Sequence, residues 1–335
     1  MLSIPDLKPE KHYNAVGILT SGGDSSGMNP AIRSIVRAAL NSGVKQVFGV
    51  RRGYQGLVSD DITLMSSRSV TNIVQKGGTV LKSARCPEFS DPSVRDVAAR
   101  NLSSRGIEAL VVIGGDGSLT GAHILCQEHG IPVIGLPGTI DNDIPGTDDT
   151  IGFDTAVNTA VEAIDRIRDT ARSHERLFLV EVMGRNSGFI ATQVGIACGA
   201  EMVVVPEYAF DFHDLCITLA ERHSKGQGSS GIIVVAEGRD PDLTHRLAAQ
   251  LKAQGQDPKI SILGHIQRGG SPSGHDRMLA SCLGTAAVEY LLAGYSDIMV
   301  GVHKGAIVDV PLQRVIEEKK VLDRKLFDIA ALLHK

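Results

Sequence analysis

Nine short apolar runs punctuate the chain: Val16–Leu19, Val47–Val50, Ala109–Ile113, Val133–Leu136, Leu177–Val182, Met202–Val205, Ile232–Val235, Ile260–Leu263 and Ile298–Val302. Most are apolar at consecutive positions, so both faces must be buried, as in parallel sheets covered by helices. Helical periodicity fills the gaps between them. Asn29-Pro30 predicts an N-cap with proline at the first helical position. Ile32, Ile35, Val36 and Leu40 then share a face, and Gly43 ends the helix. The longest helix is predicted over residues 153–170, with Phe153, Val157, Val161, Ile164 and Ile167 as its buried stripe. This alternation predicts an α/β architecture with parallel sheets. The first dozen residues read as a loose extension.

The polar residues at the carboxyl ends of these runs narrow the function. TSGGD occupies 20–24, GGDGS 114–118, PGTIDND 137–143, MGRNSG 183–188 and GHIQRGG 264–270, while Glu237 comes just after the seventh run. Open α/β sheets bind ligands beyond the carboxyl ends of their strands, so these clusters predict one converging site. In 114–118, glycines let backbone N–H groups approach phosphate oxygens, and a helix N-terminus comes next. Asp116 suits a phosphate-bound Mg²⁺. The plain alternative is a tight strand-to-helix turn. Gly22 lies in a second loop with the same two readings. No G-K-[ST] occurs, so a Walker-type loop is excluded.

PGTIDND places Asp141 and Asp143 two residues apart, and on an extended segment their carboxylates would share one side. A general base belongs there. Arg85, Arg176, Arg185 and Arg268 are candidate phosphate readers, with surface ion pairs as the alternative for each. His265 and Arg268 stand among glycines at a strand end. Arg33 and Arg37 lie one turn apart, as a solvated face or an anion site. Anionic substrates, a carboxylate base, arginines and Mg²⁺ together make the equipment of phosphoryl transfer.

Bulk composition removes other classes. The net charge is −4, which argues against nucleic acid as partner. No apolar run approaches ~18 residues, so no membrane span is expected. Cysteines 86, 126, 198, 216 and 282 are odd in number and form no C-x-x-C, which predicts neither a disulfide framework nor a zinc site and fits a cytoplasmic location. Spacing G-x-G-x-x-x-G at 115–121 raises a dehydrogenase, but no acidic residue ends the next strand as a dinucleotide site needs.

TSGGDSSGMN, GGDGS, PGTIDND, MGR and GHIQRGGSP, in this order, resemble the bacterial ATP-dependent 6-phosphofructokinases (type A family) from about Val16 to Gly301. The resemblance implies two lobes, each a mainly parallel sheet sandwiched by helices. Residues 1–13 would be an extension. Residues 14–151 with 265–316 would form the larger, nucleotide-binding lobe, and 152–264 with 317–335 the smaller, sugar-phosphate-binding lobe. It implies a glycolytic kinase that transfers the γ-phosphoryl group of Mg·ATP to the 1-hydroxyl of fructose 6-phosphate. Asp141 falls on the general base, supported by Thr139 and Asp143, and Asp116 on the metal position. Gly22, Arg85, Cys86, Gly115, Gly117 and Ser118 fall on the ATP site. Arg185 faces the transferring group. Met183, Gly184, Glu237, His265 and Arg268 fall on the sugar-phosphate pocket. Arg176 and Lys259 would reach a neighbouring active site, in what is usually a homotetramer.

Three departures qualify the resemblance. Lys259 stands where relatives carry arginine, so the charge remains and the fork is lost. Ser67-Arg68 replaces an arginine–tyrosine pair, and Gln227 replaces an effector-site lysine. Arg33, Arg37, Arg168, Glu201 and Lys225 still match the effector pattern, which leaves allosteric control by ADP or phosphoenolpyruvate open. A pyrophosphate-using branch tends to carry aspartate at 117 and lysine at 138; Gly117 and Gly138 favour ATP. A catalytically silent regulatory subunit is the remaining alternative, and it conflicts with the intact Asp116, Asp141 and Arg185.

Overall fold

The computed structural model describes residues 2–224, 230–238 and 240–333. The chain forms two compact units, Met1–Thr155 with Arg268–Lys320, and Ala156–Gln267 with Val321–Lys335. In chain order the first unit contributes β1 (Ala15–Ser21), α1 (Met28–Asn41), β2 (Gln46–Val50), α2 (Gly53–Val58), β3 (Ile62–Met65), α3 (Pro92–Ser104), β4 (Ala109–Gly114), α4 (Asp116–His129) and β5 (Val133–Pro137). Helix α5 (Phe153–Ser173) carries the chain into the second unit, with β6 (Leu177–Val182), α6 (Phe189–Cys198), β7 (Met202–Val204), α7 (Phe212–Ser224), β8 (Gly231–Ala236), α8 (Leu243–Ala253) and β9 (Lys259–Ile262). The first unit is then completed by α9 (Gly274–Leu292), β10 (Ile298–His303), β11 (Ala306–Pro311) and α10 (Leu312–Glu317), and α11 (Arg324–Leu332) belongs to the second.

The larger sheet runs β11-β10-β5-β4-β1-β2-β3, and its five inner strands are parallel. One face packs Ile18, Val47, Val111 and Ile134 with Ile32, Ile35 and Val36 of α1 and Leu279 and Leu283 of α9. The other packs Leu19, Val50, Leu110 and Val112 with α2, α3 and α4. The smaller sheet, β7-β8-β6-β9, is wholly parallel. Leu179, Ile233 and Val235 on it meet Leu215 of α7 and Leu247 and Leu251 of α8.

All nine expected strands are present, and two more appear. β3 and β11 are the outer strands of the larger sheet, and both are antiparallel to their neighbours. Each mixes buried and exposed positions, so neither shows the continuous apolar run that marks an inner strand. The start of α1 also differs from expectation. Its N-cap is Gly27, and Asn29 lies inside the first turn. The Asn29 side chain donates to the carbonyls of Lys76 and Gly77 and accepts from Val80 N, so it pins a distant loop.

The N-terminal residues are docked rather than loose. Ser3 bridges to Ala306 on the outer edge of β11, with Ser3 N donating to Gly305 O and Ile307 N to Ser3 O. Glu10 N and Lys11 N both donate to Leu292 O, and Leu2, Leu7 and Tyr13 pack on the core. The segment thereby covers an edge that would otherwise be open to pairing. Deleting residues 2–12 is expected to remove about 1–2 kcal/mol of apolar burial, which lowers the melting temperature by roughly 3–6 °C. Calorimetry showing no shift would contradict that docking.

Candidate active site

Register brings the first-unit motifs together. Ser21 at the end of β1 pairs with Gly114 at the end of β4, and Gly114 pairs with Pro137 at the end of β5. Residues 20–24, 114–118 and 137–143 therefore leave the sheet side by side, about 4.8 Å from strand to strand. The chain departs from β1 toward β2 and returns on its other side at β4, so the switch in strand order lies between β1 and β4. Such a point is where a crevice opens.

Atomic contacts agree with the register. A Cβ on Gly22, whose φ is +83°, would lie 3.2 Å from Ser118 Oγ. One on Gly115 would lie 3.7 Å from Thr139 Cβ. Gly138 N donates to Gly114 O at 2.9 Å. Behind these loops, Ser83 Oγ donates to Gly22 O and the fully buried Tyr54 donates its phenolic proton to Ser118 O. Asp116 and Gly117 are exposed in the first turn of α4, whose N-cap Gly115 supplies no side-chain cap. A Cβ on Gly117 would meet nothing within 4 Å, so open space lies before it. Gly138 differs: a Cβ there would approach Ile113 Cγ2 to 2.8 Å, so a side chain would force Ile113 to shift and packing favours glycine. Arg85 is exposed and Cys86 half-buried, and burial pushes the Cys86 thiol up.

The segment 139–143 is not extended. Asn142 takes φ +52°, which breaks the alternation that would have set Asp141 and Asp143 on one side. The loop is closed at its base by a Gly138–Ile151 bridge, with Ile151 N donating to Pro137 O at 2.8 Å. Within it Asp141 is buried at 3% exposure and Asp143 is half-buried. Thr139 Oγ1 accepts from Asp141 N at 3.2 Å, and Thr139 O accepts from Thr150 Oγ1 at 2.7 Å. Arg268 reaches the β1 loop: its Nη1 donates to Asp24 O at 3.1 Å, and a Cβ on Gly23 would lie 2.6 Å from that nitrogen. Ser26 Oγ donates to the carbonyls of Gly269 and Gly270. The first unit thus gathers Gly22, Gly115, Asp116, Ser118, Thr139, Asp141 and Arg268 at neighbouring strand ends.

The second unit has its own strand-end group. Val182 pairs with Ala236, so 183–188 and Glu237 emerge together. Glu237 N donates to Val182 O, and Glu237 Oε2 accepts from Arg185 N at 3.2 Å. Arg185 itself has φ +52°, an uncommon conformation for a residue with a side chain. It is exposed, held by Gly184 at φ +153° on one side and by the Glu237 bond. Met183 is buried, and its N–H donates to Gln267 Oε1 at 2.8 Å. His265 is exposed in a 3₁₀ turn after β9. Arg176 and Lys259 lie at the other end of this sheet. Arg176 precedes β6, and Lys259 opens β9 opposite Phe178, with its ammonium 2.8 Å from Asp257. A six-residue strand spans roughly 20 Å, so the two are remote from Arg185 and Glu237.

The family model described as phosphofructokinase matches residues 15–291. The chain belongs to the phosphofructokinase family. Its relatives there include the ATP-dependent 6-phosphofructokinase 1 of Thermus thermophilus, 51% identical over 319 residues that cover 95% of this chain and 98% of that one. The ATP-dependent 6-phosphofructokinase 2 of Bacteroides thetaiotaomicron is 50% identical over 316 residues, 94% and 96% of the two chains. Among solved structures, phosphofructokinase from Saccharomyces cerevisiae has a TM-score of 0.85 at 36% identity, and this chain covers 48% of its length with 96% of its own. A pyrophosphate-dependent phosphofructokinase from Marinobacter aquaeolei, at 22% identity and TM-score 0.82 over 96% and 91% of the chains, shares the fold.

Two of the effector candidates, Arg168 and Glu201, have local partners. Arg168 donates through Nη2 to the carbonyls of Cys198 and Gly199, where its charge offsets the C-terminal dipole of α6. Glu201 is buried and accepts from Ile232 N. Arg33 and Arg37 are half-buried on α1, Ser67 and Arg68 are exposed, and Lys225 and Gln227 lie outside the described residues. Among the described residues the cysteines are free, and no three His, Cys, Asp or Glu side chains converge as a metal-binding group. No described helix is long and apolar enough to cross a membrane. Sequence reasoning missed Tyr54, Ser83, Gln267 and Lys320, none of which carries a chemical signature of its own in the sequence.

Proposed function

We infer that the chain is an ATP-dependent 6-phosphofructokinase, a glycolytic transferase that makes fructose 1,6-bisphosphate and ADP. The observation that carries the residue-level reading is the register that aligns the GGDGS and PGTIDND loops at a strand-order switch. Gly22, Gly115, Gly117 and Ser118 take the nucleotide phosphates on backbone N–H groups and the α4 N-terminus, with Arg85 and Cys86 bordering them. Asp141 takes the proton of the sugar 1-hydroxyl. The freed oxygen pair then bonds the γ-phosphorus as the bond to the β-bridging oxygen breaks, and ADP leaves. Thr139 and Asp143 orient this segment. Arg185 faces the transferring group, and Met183, Gly184, Glu237, His265 and Arg268 take the sugar phosphate.

Asp116 suits magnesium: one exposed hard-oxygen carboxylate beside a phosphate-binding loop is what this ion uses when substrate phosphates complete its shell. Bound there, the ion supplies charge neutralisation of the phosphates. Arg176 and Lys259, remote from their own strand-end group, serve a neighbouring subunit in a homotetramer. Ultracentrifugation reporting a monomer at assay concentration would defeat that assignment. An anion site at Arg33, Arg37, Arg168, Glu201 and Lys225, and a cytoplasmic setting, go with this reading.

The test compares ATP with pyrophosphate as donor to fructose 6-phosphate; preference for pyrophosphate would overturn the reading. Gly117 gives a sharper version. G117D sets a carboxylate in the space before the loop, where repulsion of a phosphate amounts to several kcal/mol. Its kcat/KM for ATP should fall about 100-fold. Because a Cβ meets nothing there, the melting temperature should stay unchanged. Unaltered use of ATP would remove Gly117 from the nucleotide site.

A further inference from the structure

Lys320 lies just beyond α10, in a run of charges, EEKK, that reads as a solvated surface. It is half-buried instead. Its ammonium donates to Asn142 Oδ1 at 2.9 Å and to the carbonyl oxygen of Asp148 at 2.9 Å. Asn142 Nδ2 donates to that same carbonyl at 3.2 Å. Lysine, carboxamide and carbonyl thus form a closed knot inside the loop bridged at Gly138 and Ile151. The knot grips the one residue between Asp141 and Asp143, and it grips it in the left-handed conformation that decides how the two flanking residues are presented.

We propose that Lys320 is a positioning residue for the phosphoryl-transfer reaction: by holding Asn142 it sets the direction of Asp141 and Asp143. This rests on the assignment of Asp141 as the base. Two further observations favour it over a merely structural anchor. Burial pushes the Lys320 ammonium down to about 8 although Asp149, Asp148 and Asp143 all pull it the other way, so the fold holds this charge where solvation is poor. A charge kept at such a cost to solvation contributes little net stability. The remaining loop already has anchors of its own. Asp148 accepts from Lys304 N and faces His303, Asp149 faces His275, and Thr147 bonds Asp149 O and Val302 N. To these Lys320 adds a grip on Asn142 and on the Asp148 carbonyl beside it.

The full-length protein would be assayed as wild type, K320M, K320R, N142G, the K320M/N142G pair and D141N. K320M should lower kcat about tenfold or more, since small displacements of a reacting group have effects of that size. Its KM for ATP should stay within about threefold and its melting temperature within a few degrees. K320R, which keeps the charge and can bond both acceptors, should recover most of the loss. N142G keeps the left-handed backbone but removes the gripped side chain, so it should lower kcat similarly. Because one interaction would already be gone, K320M should add little in the N142G background. Multiplying losses in the double variant, or a K320M defect that appears as lowered melting temperature with KM and kcat moving together, would overturn the inference. If D141N turns over normally, the base assignment falls and this inference with it. If D141N is inactive and K320M is unimpaired, the role of Lys320 alone is overturned.

Discussion

Asp141→Asn is expected to lower kcat by at least ~10²–10⁴-fold while nucleotide affinity stays within a few fold. Asparagine keeps the size of the side chain, so the buried Asp141 can be replaced without a cavity. It also keeps the backbone N–H that donates to Thr139 Oγ1. What it removes is the capacity to accept a proton. Steady-state rates with saturating fructose 6-phosphate, together with calorimetric titration of Mg·ATP, separate the two effects. Turnover near the wild-type value would remove Asp141 from the chemistry, and lost nucleotide binding would point to damage in the neighbouring GGDGS loop.

The largest effect on stability is expected at Asp276, a carboxylate with no exposed surface. It accepts from Gly152 N and Thr155 N at 2.8 Å each and from the Thr155 hydroxyl. Thr155 in turn accepts from Ser273 N, and Ser273 caps α9 by accepting from Asp276 N at 3.1 Å. The first turns of α5 and α9 therefore share one network. Asp276→Ala leaves two backbone N–H groups and a hydroxyl without their acceptor, at about 1–3 kcal/mol for each buried group. Relief of the buried charge offsets part of this, which leaves a net loss of about 3 kcal/mol. The first thermal transition should fall by roughly 6–12 °C. Burial holds this carboxyl above the usual 3.8. The folded chain then binds its proton more tightly than the unfolded chain, so this group's share of stability falls as pH rises from about 3.8 through the folded value. Asp276→Asn removes that slope and still destabilises, because an amide nitrogen cannot accept from a backbone N–H. A variant as stable as wild type across this range would show the network to be dispensable.

Sequence reading succeeded where the information is local. Inner strands such as Ala109–Gly114 announce themselves by consecutive apolar residues, and the loop after them by glycines beside an aspartate. It failed at β3 and β11, whose half-exposed outer positions dilute that pattern. It also failed at Asn142, where a single positive φ cancels the two-residue periodicity. Gly138 shows a subtler limit. As a sequence it reads as a donor-specific glycine, yet Ile113 leaves a Cβ no room there, so its absence of side chain has a packing cause as well.

By itself, then, the amino-acid sequence determined the α/β class, the nine apolar strands and the order of the glycine-rich and acidic strand-end motifs. Each of these depends on the period and chemistry of consecutive residues. Only the tertiary structure decided which motif stands beside which. It also showed that Arg176, just before β6, and Lys259, opening β9, stand at the end opposite Arg185, and that Lys320 closes on Asn142 from 178 positions away. Register and long-range hydrogen bonds join residues with no shared local pattern. A lysine in a charged run looks the same in sequence whether it faces water or holds a loop.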